Sequence, residues 1–130
     1  MREILFRGKR IDTGGWINGF YAELTDGTGQ GVEHWIFTGE GGYGIPTDIL
    51  FYRQYLINPE TVGQYTGFKD LNESRIFEGD IIEDESRMAA LVVFEEGSFF
   101  ADYDGYEPQY LGDWGEIIGN VFDNPELLEA

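Results

Sequence analysis

Apolar and polar residues alternate with a period of two along much of this chain. In "GWINGFYAEL" (15–24), Trp16, Phe20, Ala22 and Leu24 fall on one face of an extended segment. The stretch "VEHWIFT" (32–38) has the same β-branched and aromatic texture. Between them, "TDGTGQG" (25–31) supplies the Asp-Gly and Gly residues that tight connections use for positive φ, so the two runs predict a hairpin. "TGEGGYGIP" (38–46) reads as a Gly-rich loop, and "DILFYRQYLI" (48–57) fits a strand better than a short helix. "NPETVGQYTG" (58–67) reads as a turn and as the boundary between sub-lobes at 1–59 and 60–130.

Downstream, "RIFEGDIIE" (75–83), "MAALVVFEE" (88–96), "SFFADY" (98–103) and "GEIIGNVF" (115–122) are short apolar runs separated by Gly, Asp or Glu. Such spacing predicts a barrel or sandwich. The junction "EEGS" (95–98) places Gly97 and Ser98 in a hairpin turn. At the end, Asn124 as N-cap, Pro125 at the first helical position and Glu126 in the first turn predict one short helix. The chain contains no internal repeat and no low-complexity tract.

Composition narrows the picture. A length of 130 residues suits one compact domain or two small lobes, and 42% hydrophobic residues suffice for unaided folding. The absence of cysteine excludes disulfides and thiolate metal sites and makes a reducing, cytoplasmic setting the expectation. No apolar run has the length of a signal peptide core or of a membrane helix, so no membrane association is expected. The net charge of −17 is uneven: residues 66–130 carry 17 acids against 3 bases. A phosphate backbone repels such a surface, so nucleic acid is a poor partner, and a basic protein a better one.

The candidate chemistry is sparse. Gly39, Gly41 and Gly44 match G-x-G-x-x-G, but the segment runs into Ile45-Pro46 instead of a helix and carries Glu40, so a bare loop is the reading. "DYDGYEPQYLGD" (102–113) has carboxylates at alternate positions, yet no register puts glycine at position 6 and glutamate at position 12 of a calcium loop. His34, the single histidine, has no serine elbow and no cysteine to activate, and reads as a packed strand residue. The pairs Asp84/Glu85 and Glu95/Glu96 read as solvated acids. No catalytic residue, cofactor or metal site is assigned. Tyr103, Tyr106, Tyr110 and Trp114 gather within an acidic stretch and form the candidate interaction surface.

Five motifs in fixed order carry a family resemblance: Gln64-Tyr65-Thr66-Gly67, then Lys69-Asp70, then Glu78-Gly79-Asp80-Ile81 preceded by Ile76, then Ile118-Gly119-Asn120, then Asn124-Pro125-Glu126-Leu127-Leu128. Together with the opening "ILFRGKRIDTGGWINGFY" (4–21), they make the chain resemble the YopX family of phage and prophage proteins. The family commonly has an Asn-Gly turn after the Lys-Asp pair, where this chain has Asn72-Glu73. The resemblance implies a mainly β fold: a small SH3-like barrel with a β-rich N-terminal lobe. It also implies action in the cytoplasm of a bacterial host, and no established activity. On the residues themselves, Gly67 and Gly79 suit corners, and Asp70 and Asp80 suit turn amides, so these motifs read as structural.

The leading functional expectation is a non-enzymatic interaction or assembly module that self-associates or binds a protein. The first alternative is an acidic decoy for a basic DNA-binding protein; the second is a carboxylate or metal-dependent enzyme. Direct nucleic-acid recognition would rest on Arg2, Arg7, Lys9 and Arg10 alone.

Overall fold

The computed structural model describes residues 3–39 and 52–129. Among the described residues the protein is mainly β, with ten strands in two antiparallel five-stranded sheets and one short turn of 3-10 helix. The chain divides into two compact units, the first Ile4–Gly63 and the second beginning at Gln64 and including Glu3.

In the first unit, β1 (Phe6–Arg10), β2 (Trp16–Thr25), β3 (Val32–Gly39) and the start of β4 (Tyr52–Lys69) pair in chain order, and β1 also pairs with β4. The predicted β2–β3 hairpin is present: Thr25 opposes Val32, and the Asp26 carboxylate accepts the Thr28 amide inside the loop. Period-two alternation made these residues strands, and the face that carries Phe20 and Leu24 is not the buried one. Phe20 and Leu24 are 60% and 44% exposed, whereas the inward positions of β2 include Gly19. A Cβ on Gly19 would run into the Phe37 carbonyl and the Ile36 side chain, and one on Gly8 into Ile57. The two glycines let β1 and β2 close on Ile36 and Ile57, both essentially fully buried.

The stretch 58–67, expected to turn, lies within the 18-residue strand β4. The turn chemistry is real but local. The Glu60 amide donates to the Asn58 side chain, and the Thr61 hydroxyl donates to the Asn58 carbonyl while accepting the Lys9 amide. The strand persists because it has partners throughout: β3 and β1 early, and β5 later. The glycine-rich loop at 38–46 and the start of the run 48–57 fall largely outside the described residues; from Tyr52 onward that run is strand, as expected.

In the second unit, the end of β4 pairs with β5 (Arg75–Phe77). A sheet of order β10-β6-β7-β8-β9 follows, from β6 (Asp80–Glu83), β7 (Ala89–Glu95), β8 (Ser98–Asp102), β9 (Gln109–Tyr110) and β10 (Glu116–Asn120). "RIFEGDIIE" is therefore two strands in two sheets, divided at Glu78-Gly79, where Gly79 has φ 93°. In β7, inward Ala90 and Val92 alternate with less buried neighbours. They join Ile76, Ile82, Ala101, Tyr103 and Leu111 in one core, flanked by Phe68, Phe99, Trp114 and Ile117. The β7–β8 turn is Glu96-Gly97, both at positive φ (50° and 82°), with Ser98 already paired to Glu95. It sits one residue earlier than the glycine-serine pairing expected, and its two positive φ values match the twist of the strands. The C-terminal helix is only a 3-10 turn, Pro125–Leu128, and Asn124 makes no side-chain cap because its carboxamide oxygen accepts the Asn120 amide instead.

Gly19→Ala is expected to lower unfolding stability by about 1–3 kcal/mol, since the obstructing atom is a backbone carbonyl that cannot swing aside. Phe20→Ser, on the exposed face, is expected to stay within about 0.5 kcal/mol. Urea denaturation of the two variants measures both.

Candidate functional site

The motif residues form a frame of backbone hydrogen bonds. Asp70 is 6% exposed; its Oδ1 accepts the amides of Asn72 and Ser74 (both 2.9 Å) and its Oδ2 the amide of Ile117 (3.0 Å). One carboxylate thus closes the β4–β5 loop and ties it to β10. This loop runs over five residues, 70–74, with Glu73 at φ 62°, which is why the chain does without a two-residue Asn-Gly turn. Asp80, 2% exposed, accepts the Phe77 amide at 2.7 Å. The Thr66 hydroxyl donates to the Ile76 carbonyl and accepts the Phe68 amide. The Glu78 amide donates to the Gln64 carbonyl, and Gly79 donates to Val92 and accepts from Val121. Tyr65 packs its ring against Phe77 at 5.6 Å. Asn120 accepts the amides of Phe122 and Asp123, and a Cβ on Gly119 would strike Asn124 and Leu127, so the last two motifs fold against each other.

The residues with free surface lie elsewhere in the second unit. Leu71, Tyr103, Tyr110, Trp114 and Gly115 line a cavity of about 470 Å³ together with Glu83, Asp84, Glu85, Ser86, Gln109 and Glu116. Three of the four aromatics singled out in the sequence meet there; Tyr106 does not, and lines a neighbouring depression with Pro108 and Leu128. They also differ in exposure. Tyr103 is a core residue at 8%, while Tyr110 stands 76% exposed at the rim. Trp114 packs partly on the core, its indole close over Gly112.

One wall is fixed by Asp84. Its Oδ1 accepts the Ser86 and Met88 amides, and its Oδ2 accepts the Tyr103 hydroxyl at 3.0 Å. The Met88 amide above all holds this carboxyl below the ordinary aspartate value; desolvation opposes it, and the Tyr103 hydroxyl and Ser86 amide assist. Burial, and then the bond to Asp84, push the Tyr103 phenol up to about 12. The site therefore pairs a neutral donor with a lasting anion.

Glu83 and Glu116 had no signal in the chain's periodicity. They meet because β6 and β10 pair antiparallel with these two residues directly opposite. Register of this kind becomes visible only once the strands are paired.

Among the described residues no group of three or more His, Asp or Glu has metal-holding geometry. His34 sits in β3 with its Nδ1 against the Tyr21 hydroxyl and its ring stacked on Tyr21. The basic residues of β1 are engaged within the first unit. Arg7 and Lys9 lie over the Trp16 ring at 4.7 and 5.6 Å, and Arg10 pairs with Asp12 and lies over Tyr55. No helix among the described residues is long and apolar enough to cross a membrane.

Fold and site define a small antiparallel β protein whose second unit carries a backbone-bonded frame and an acid-lined aromatic cavity. The chain belongs to the YopX family, described as YopX protein, whose family model matches residues 6–129. Among solved structures it is similar to protein EF1440 from Enterococcus faecalis, with a TM-score of 0.60 and 21% identity over 99% of this chain and 100% of that one. That likeness concerns the fold. None of the curated proteins compared matches the chain.

Asp70→Ala strands three amide donors and is expected to cost about 3 kcal/mol or more, measured by chemical denaturation. For Asp84, the folded value is depressed. Its stabilisation is present at neutral pH and is lost as pH falls below 3.8 through the lower folded value. Tyr103→Phe is expected to bring the Asp84 titration back up towards 3.8, read by carboxyl NMR. In the parent protein, the Tyr103 contribution is held below pH 10 and lost as pH rises through about 12.

Proposed function

We propose that this protein is a non-enzymatic interaction module of phage or prophage origin, acting in the cytoplasm of a bacterial host, with the acid-lined aromatic cavity as its contact site. The observation that carries this reading is the cavity itself. Tyr110 and Trp114 present aromatic surface beside four carboxylates, while the family motif residues are occupied in backbone bonds. An exposed tyrosine and a partly buried tryptophan beside polar groups fit a protein contact, whose compositional mark is enrichment in aromatic residues. The second unit, in this reading, is the SH3-like barrel that the family resemblance implies, its strands supporting the cavity on a rigid frame.

A second reading, an acidic decoy for a basic DNA-binding host protein, is favoured by the 17 acids against 3 bases in residues 66–130. The two differ in what they depend on. A decoy works through summed charge, so DNA competes with it and no single aromatic matters; a cavity contact depends on Tyr110.

The test is affinity capture from bacterial lysate with the parent protein and with Tyr110→Ala, repeated with added DNA. Loss of the captured protein in Tyr110→Ala with DNA having no effect is the expected result. Capture that survives Tyr110→Ala and is released by DNA would favour the decoy. Light scattering of the free protein reports whether the captured partner is a second copy.

A further inference from the structure

Glu83 and Glu116 stand directly opposite each other in the β6–β10 ladder, and both line the cavity. Like charges at directly opposed positions destabilise a sheet, and a nearby cation normally relieves them. Here none of the described lining residues is basic. Among the described residues the one hydrogen-bond donor on the pair is neutral, the Asn72 carboxamide at 3.2 Å from Glu116. Asp84 adds a third anion, and its two oxygens are already taken by Ser86, Met88 and Tyr103, so it supplies field more than bonds. Glu85 completes the acidic side.

Tyr110 and Trp114 line the same cavity, and their π faces also attract cations. A group answering both walls must be positive, planar enough to stack on a ring, and able to donate several hydrogen bonds to carboxylates at once. The arginine guanidinium has that combination; the lysine ammonium is a compact, strongly hydrated point charge. The cavity, about 470 Å³, has room for one such side chain and the backbone that carries it.

We infer that the cavity binds an arginine side chain of a protein partner, with Glu83 and Glu116 on the guanidinium and the aromatic wall against its plane. This inference rests on the cavity being the contact site of the proposed module. It adds that the unrelieved repulsion between Glu83 and Glu116 is a stability cost the free protein carries and the bound arginine removes.

The experiment uses the full ¹⁵N-labelled chain titrated with N-acetyl-arginine methylamide. Its neutral citrulline isostere and the lysine equivalent serve as comparisons. Saturable shifts are expected at Leu71, Glu83 to Ser86, Gly115, Glu116 and the Trp114 indole, with a dissociation constant on the order of 1 mM for so small a probe. The double variant Glu83→Gln/Glu116→Gln is expected to lose that binding at least tenfold while melting no lower than the parent, so loss of binding is not loss of fold. Citrulline equal to arginine, lysine tighter than arginine, full binding by the double variant, or no saturable shift would each overturn the inference. Tyr110-dependent protein capture that survives in Glu83→Gln/Glu116→Gln would overturn the arginine and leave the module standing; loss of Tyr110 dependence would remove the module reading itself.

Discussion

Two buried carboxylates that bond to the chain's own amides hold the second unit together. A carboxylate removed from water is costly unless its lone pairs are met by donors. Asp70 and Asp80 are met by backbone N–H groups at turns, where the sheet ladders leave donors unused. Each acid needs its turn and each turn needs its acid. Asp70 binds donors on both sides of a gap of more than forty residues, fixing the β4–β5 loop and the start of β10 in one act. The course of β10 in turn decides what opposes Glu83, so the cavity's acidic wall is set by a residue that does not line it.

The first unit solves a different problem. Among the described residues its fully buried apolar side chains are Ile36 and Ile57, and it closes on them by removing side chains: Gly8 and Gly19 stand where any Cβ would collide. Three of its basic residues lie on its own aromatic rings, Arg7 and Lys9 over Trp16 and Arg10 over Tyr55, and Arg10 also pairs with Asp12.

Strand positions and turn residues were legible because they are local. Period-two alternation found β2, β-branched and aromatic texture found β3, and short apolar runs found β7 and β8, with glycine and acidic residues marking the connections. The turn role of Asp70 and Asp80 was readable for the same reason: a short acid can accept nearby turn amides with its own side chain. Periodicity identified the two faces of β2 without saying which is inward, and a glycine takes the buried side. The supposed turn at 58–67 failed because Asn-Pro and Gly are local breakers, overridden where a strand has partners along its length. The aromatic cluster was visible as composition, but its division into a core tyrosine that also lines the cavity, two further lining residues and a separate Tyr106 depends on tertiary packing. The Glu83–Glu116 opposition belongs to register alone.

Because Asp70, Asp80 and Asn120 address backbone groups, their partners stay the same whatever side chains occupy the neighbouring positions. The frame is therefore indifferent to the identity of its surroundings. Surface residues of the second unit are free to drift in charge, even to the extreme seen here, without renegotiating the fold. A scaffold anchored in this way separates two histories in one chain: a skeleton that tolerates little change, and a skin that can be rewritten for each new contact.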